Sequence, residues 1–269
     1  MCNNLKIIDS HAHLDFNEIE SDLENVINRA KKNGVEEIIT ISTKLSKINK
    51  IMSLANKYKN IWFSVGIHPH EAENDLDSCN TEKIIEYAKN KKCVAIGEAG
   101  LDYHYCNASP LSQKYSFESQ ILAAHILNLP IIIHSRDADI DLFTIIKNEM
   151  KKNKFNGVLH CYSSGRELAL NSIDLGLYIS FSGILTFKNS IELQKLAYEI
   201  PLNKILIETD SPFLSPVPNR GKINEPSNVY YILKKLSEIR GIDIKDLAKI
   251  IRENTLNLFK RINSDAKKV

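Results

Sequence analysis

Short runs rich in Ile and Val recur along this chain, and almost every one is followed by an amphipathic segment. Few folds accommodate that alternation. Strands are expected over residues 5–8, 35–42, 61–65, 93–98, 131–134, 158–160, 177–181 and 204–209. Helical spacing of apolar residues falls between them, over 18–33 with Gly34 as its stop, then over 45–58, 81–90, 111–128, 137–152, 166–175 and 190–199. Further helices are expected after the last strand, over 226–240, 244–251 and 255–262. Strands that read as unbroken apolar runs are covered on both faces, and their alternation with helices implies a parallel sheet.

Two architectures meet those conditions, an α/β (β/α)8 TIM barrel and an open doubly wound sheet. Five strand endings separate them. The first strand runs into Asp9-Ser10-His11-Ala12-His13, the fourth into Glu98, the fifth into His134, the sixth into His160 and the eighth into Glu208-Thr209-Asp210. All five carry residues able to hold a metal. In a barrel these ends converge on one mouth; across an open sheet they would be spread too widely. The expected fold is therefore a single-domain barrel over 1–269, with an ordered core of 5–262 and extra C-terminal helices.

Composition says less about function. The 269 residues are 43% hydrophobic with a net charge of +2, which neither demands nor excludes nucleic acid. The five cysteines, Cys2, Cys79, Cys93, Cys106 and Cys161, contain no C-x-x-C pair and fit free thiols in a reducing compartment. Cys161 follows a candidate ligand and is expected to point away from it as a buried, inert thiol. A first strand beginning by Leu5 leaves no room for a secretory signal, and no apolar stretch approaches membrane-spanning length. A cytoplasmic protein without a membrane partner is expected. Nothing in the sequence sets the oligomeric state; a monomer is the default.

His11 and His13, two apart at a strand end, project to one face and suit a shared metal. Asp9 would share that face, as a partner of those imidazoles or as a structural residue. Glu98 ends a buried strand, where an unpaired carboxylate costs several kcal/mol. It could pair with a barrel Lys or Arg, or offer one oxygen to each of two ions. His134 and His160 end adjacent strands beside it. Asp210 ends the strand next to the first, and such a carboxylate can hold metal while orienting or deprotonating a water. Four histidines and two carboxylates are too many for one tetrahedral ion and fit two divalent ions sharing Glu98. Their mixed nitrogen and oxygen donors suit Mg, Mn or Zn. Paired ions of this kind promote hydrolysis, phosphoester hydrolysis most naturally.

The segments around these residues are Asp9-Ser10-His11-Ala12-His13-Leu14-Asp15, Gly66-Ile67-His68-Pro69-His70, Gly97-Glu98-Ala99-Gly100-Leu101-Asp102-Tyr103, His134-Ser135-Arg136 and His160-Cys161-Tyr162-Ser163. Glu208-Thr209-Asp210-Ser211-Pro212-Phe213-Leu214 follows, then Pro218-Asn219-Arg220-Gly221-Lys222 and Asn224-Glu225-Pro226. Together, and in this order, they resemble the TatD family of metal-dependent deoxyribonucleases within the amidohydrolase-like barrel superfamily. The resemblance implies a nuclease that removes nucleotides from DNA ends, often 3′ to 5′, with a divalent-metal requirement. Carried over position by position, His11, His13, Glu98 and Asp210 would hold one ion, and Glu98, His134 and His160 the other. Asp210 would be the general base. His68 would touch substrate phosphate, unless it merely packs against Pro69.

Ala99, Ser211, Asn219 and Ser164 depart from the family's usual residues without removing a candidate ligand. Arg220 and Lys222 could contact phosphate at the mouth, or form a solvated basic loop. Tyr103 and Tyr162 could stack on bases, or pack loops. DNA is the expected substrate, with RNA open. The competing reading is a hydrolase of a C–N or carboxylic ester bond on the same scaffold. Many barrel amidohydrolases bridge their metals with a modified Lys on the fourth strand, where this chain has Glu98. A non-catalytic binding protein is disfavoured, because a degraded site would have lost a ligand.

Overall fold

The computed structural model describes residues 5–73, 80–105 and 107–264, so Cys2, Cys79 and Cys106 lie outside the described residues. Eight strands pair in parallel and in chain order: β1 (Ile7–Ala12), β2 (Val35–Thr40), β3 (Ile61–Val65), β4 (Cys93–Asp102), β5 (Ile131–Arg136), β6 (Gly157–Leu159), β7 (Tyr178–Phe181) and β8 (Ile205–Ile207). An Ala12–Ser211 bridge brings the last strand back to the first. There the Asp210 N–H donates to His11 O at 2.9 Å and the His13 N–H to Ser211 O at 2.8 Å. The expected barrel is the observed one.

The strands build two cores. Ile8, Ile39, Trp62, Val94, Ile132, Val158 and Leu206, from seven different strands, meet in the barrel interior. The alternate strand residues face a ring of helices. These are α1 (Asn17–Glu20), α2 (Leu23–Lys32), α3 (Ile48–Lys57), α4 (Thr81–Ala88), α5 (Pro110–Leu127), α6 (Asp139–Lys152), α7 (Arg166–Asp174), α8 (Ile191–Glu199) and α9 (Val229–Arg240). The chain then forms α10 (Ile244–Leu258) and α11 (Arg261–Ser264). Leu256, Leu258, Phe259 and Ile262 pack into the interior core, so the C-terminal helices plug the end of the barrel opposite the strand C-termini. Among the described residues, no helix is long and apolar enough to cross a membrane.

Three of the boundaries that differ from expectation have a visible cause. The helix expected over 18–33 breaks at Ser21-Asp22, whose short polar side chains compete with helical backbone hydrogen bonds. The helices expected over 244–251 and 255–262 are largely one, α10, because Asn254 gives its amide to Leu202 O (2.7 Å) and Ile205 O (2.9 Å) without leaving the helix. Strand β4 runs past Glu98 to Asp102, where the Gln113 side chain on α5 bonds both the Asp102 N–H (2.7 Å) and its carbonyl (2.9 Å).

Strict alternation fails where the site is built. Ile8 lies in the interior core and Ala12 in the outer one, although a separation of four would put both on one face. The β1–β2 register slips between Asp9 and Ala12, which accounts for the change. A similar slip falls between Ile96 and Ala99 on β4. Gly97 and Gly100 flank Glu98 with φ of 133° and 146°, and a Cβ at either would collide with β5 backbone.

Candidate metal centre

Five of the eight histidines surround one buried carboxylate. Glu98 Oε2 lies 3.4 Å from His11 Nε2 and 3.9 Å from His13 Nε2. Its other oxygen, Oε1, lies 2.8 Å from His160 Nε2, 2.9 Å from His134 Nδ1 and 3.4 Å from His68 Nε2. Asp210 completes the first side, with Oδ1 at 3.6 Å from His11 Nε2 and 3.4 Å from His13 Nε2. The two imidazole nitrogens of His11 and His13 are themselves 3.3 Å apart. Every residue expected to hold metal is therefore brought to one place, at the C-terminal mouth of the barrel.

Two of the donors, His134 and His160, are oriented from behind. His134 Nε2 stands 3.0 Å from Asp102 Oδ2, leaving Nδ1 to face Glu98. His160 Nδ1 stands 3.2 Å from Glu208 Oε1, leaving Nε2 inward; the same oxygen accepts the Cys161 N–H at 2.6 Å. This is the carboxylate–histidine pairing that fixes a ligand's tautomer. His68 is set the other way. Its Nδ1 accepts the His70 N–H at 3.2 Å, so the inward Nε2 carries the proton. His68 thus offers a donor, not a lone pair, and burial pushes its pKa down to about 4, keeping the ring neutral. Its backbone is held by Gln120 on α5, whose side chain bonds both the Ile67 N–H (3.0 Å) and carbonyl (2.9 Å).

Charge separation is strong. Burial would raise the Glu98 carboxyl, but the charge of His160 and hydrogen bonds from His11 and His134 hold it well below the usual carboxylate range. Burial likewise opposes a charge on His160, and Glu98 with Glu208 overrides it, raising His160 well above its ordinary value. Asp210 is lowered despite burial by its hydrogen bond to His13 and the charges of His11 and His13.

These donors fit divalent metal. With metal–ligand bonds of about 2.1 Å, tetrahedral donors lie about 3.4 Å apart. The spacings of His11 and His13 Nε2 to each other, to Glu98 and to Asp210 run from 3.3 to 3.9 Å. His11 Nδ1 and His13 Nδ1 are buried without a hydrogen-bond partner among the described residues, so no protein acceptor fixes their protons there. The model of TatD related DNase matches residues 8–260. This chain belongs to the TatD family.

Relatives in the TatD family agree over its length. The uncharacterized metal-dependent hydrolase YabD of Bacillus subtilis is 40% identical over 257 residues, covering 96% of this chain and all of that one. The 3′-5′ ssDNA/RNA exonuclease TatD of Shigella flexneri is 32% identical, covering 94% and 98%. The crystal structure of the TatD homologue YjjV from Escherichia coli superposes with a TM-score of 0.88 at 27% identity, covering 96% and 98%. The chain is a metal-dependent hydrolase of the TatD family.

The other site residues read from the sequence are placed unevenly. A cavity of about 760 Å3 opens over Glu98, lined by His13, His68, His134, His160 and Asp210. Tyr103, Arg220 and Lys222 do not line it. Tyr103 donates to Asp141 Oδ2 at 2.9 Å and borders a neighbouring groove. Arg220 lies over the Phe187 ring, 3.8 Å from its centroid, and bonds Ser215 O at 3.3 Å; Lys222 is exposed. Their expected contact with substrate has no geometric support, because each points to a partner outside the cavity or to solvent. Tyr162 is buried and donates to Gly165 O at 2.5 Å, the packing alternative.

Asp9 is structural. It takes the Thr209 N–H (2.9 Å) and hydroxyl (2.6 Å), tying β1 to the end of β8. Burial pushes its carboxyl up to about 8 against those bonds. Cys161 corrects the alternation argument: β6 stops at Leu159, so Cys161 turns into the cavity wall with φ 44°. Its thiol bonds Ser182 Oγ at 3.1 Å, and burial holds its pKa well above the ordinary value. Sequence reasoning missed Asp102, Glu208, Gln113 and Gln120. Asp102 and Glu208 were visible as carboxylates beside strand ends. The two glutamines, seven apart on the inner face of α5, were the remaining signal.

Proposed function

We propose that this chain is a nuclease using two divalent ions to remove nucleotides from DNA or RNA ends, in the 3′ to 5′ direction. The observation that carries the reading is Glu98, whose two oxygens face two separate donor groups. His11, His13, Glu98 and Asp210 would hold one ion, and Glu98, His134 and His160 the other. Ions held there would supply Lewis-acid charge against the non-bridging oxygens of a phosphodiester and acidify water.

The chain's own groups do the rest. Asp210, ionised by its contacts with His13 and His11, takes the proton of the attacking water. His68 donates from Nε2 to a phosphate oxygen and so sets the ester over Glu98. The name of the Shigella relative supports an unpaired DNA or RNA end as substrate.

Degradation of 3′- and 5′-labelled single- and double-stranded DNA and RNA, with Mg, Mn and Zn compared, tests this reading. Stepwise loss from the 3′ end of a single strand is expected. A wild-type protein inert on every nucleic acid but active on amides or carboxylic esters would replace it with the amidohydrolase reading.

A further inference from the structure

Two aromatic groups rise from opposite sides of the Glu98 cluster, and the mechanism above uses neither. On the first side, Phe16 and Phe213 meet at 5.6 Å and 86°, and pack against the His13 ring at 5.1 and 6.1 Å. On the other, Tyr105 stands edge-on to His70 at 5.4 Å and 89°. His70 Nε2 in turn lies 3.0 Å from Asp102 Oδ2, the oxygen that holds His134. The first pair therefore flanks the His13 side of Glu98, and Tyr105 flanks the His134 side. All three rings line the cavity.

Their exposure is unusual for such residues. Phe213 is 48% exposed and Tyr105 54%, directly beside a buried charged cluster. Packing does not call for them. Each side also carries a cation over its ring. Lys47 Nζ lies 5.6 Å from the Phe16 centroid, and the Arg136 guanidinium 4.7 Å from that of Tyr105. Neither cation has a carboxylate partner among the described residues. Rings that stack on any base, interleaved with cations free for phosphate, are the equipment of single-strand binding.

We propose that the mouth is a two-sided clamp for the last two bases of an unpaired strand. Phe16 and Phe213 take one base, Tyr105 with Arg136 takes the other, and the phosphate between them lies over Glu98. This rests on the nuclease reading and adds the residues that hold the two terminal bases. A paired end is disfavoured, because two bases held on opposite sides of one phosphate must leave their stack and their partners. A free mononucleotide fills only one side.

The test measures binding by fluorescence anisotropy, using manganese-loaded protein and a labelled single strand whose terminal linkages are phosphorothioates that resist hydrolysis. Three strands are compared: intact, without the last base, and without the penultimate base. Removing either base is expected to weaken Kd about tenfold in the wild type. Phe213→Ala should abolish sensitivity to one base and Tyr105→Ala to the other. Phe213→Leu and Tyr105→Leu, which keep apolar bulk for folding, should show the same selectivity. The blunt duplex and a mononucleotide should each bind about tenfold more weakly than the intact strand.

Equal binding of all three strands, equal base sensitivity in wild type and variants, or a mononucleotide as tight as the strand would overturn the clamp. An unmodified strand assayed in parallel keeps the two ideas apart. Cleavage without base sensitivity refutes the clamp and keeps the nuclease; base-sensitive binding without cleavage does the reverse.

Discussion

His134 Nε2 stands 3.0 Å from Asp102 Oδ2, so a carboxylate at the very end of β4 decides which nitrogen β5 turns toward Glu98. Asp102→Ala is expected to weaken metal binding about 10–100-fold while leaving the fold intact. The Gln113 bonds to the Asp102 backbone survive the substitution. Calorimetric titration of the metal-free protein with manganese checks the affinity, and circular dichroism the fold.

Glu98→Ala removes a donor from both groups at once. Metal bound per chain, measured by mass spectrometry after dialysis, should fall below that of Asp210→Asn, which touches the first group alone. Nucleic-acid hydrolysis should be abolished in Glu98→Ala and lowered about 10²–10⁴-fold in Asp210→Asn. Full activity in either purified variant would refute the site assignment.

Gln120→Ala strands the buried N–H and carbonyl of Ile67, whose bonds it makes at 3.0 and 2.9 Å. Each unmet buried group costs about 1–3 kcal/mol. With two groups stranded, urea denaturation should report a loss of about 2–6 kcal/mol. Because Ile67 precedes His68, KM for a nucleic-acid end should rise as well.

Far from the mouth, Trp62 donates to Glu37 Oε2 at 2.7 Å. Burial pushes the Glu37 carboxyl above its ordinary value, outweighing that hydrogen bond. The folded chain thus holds the Glu37 proton more tightly than the unfolded chain. Its contribution is complete below the ordinary glutamate pKa and is lost as pH rises through the raised folded value. Glu37→Gln should flatten this slope: relative to wild type it gains stability on going from pH about 4 to about 7, measured by urea unfolding at each pH.

Most of the barrel could be read because its strands are buried on both faces and their apolar runs leave no ambiguity of register with solvent. The ligands were legible for the same reason, since His134 or Glu98 at the end of such a run needs a partner. What escaped depends on three dimensions. Asp102 and Glu208 act through other residues' rings, and Gln113 and Gln120 act through backbone far away in sequence. The slips at Asp9–Ala12 and Ile96–Ala99 break alternation at the very positions where it was used. Tyr103 and Tyr105 show the limit most plainly: two apart in the chain, one turns to Asp141 and the other to the cavity.

Asp9 and Thr209 are 200 residues apart in the chain, yet share two hydrogen bonds. That seam has a temporal meaning. Synthesis delivers His11 and His13 first and Asp210 last among the donors, so the group they form cannot exist on a chain that stops short of residue 210. Glu98, His134 and His160, by contrast, come from consecutive strands and can gather before the ring is shut. Metal capture by the first group would therefore report the joining of the first and last strands, and a chain stalled with its ends apart would hold only the Glu98, His134 and His160 donors together.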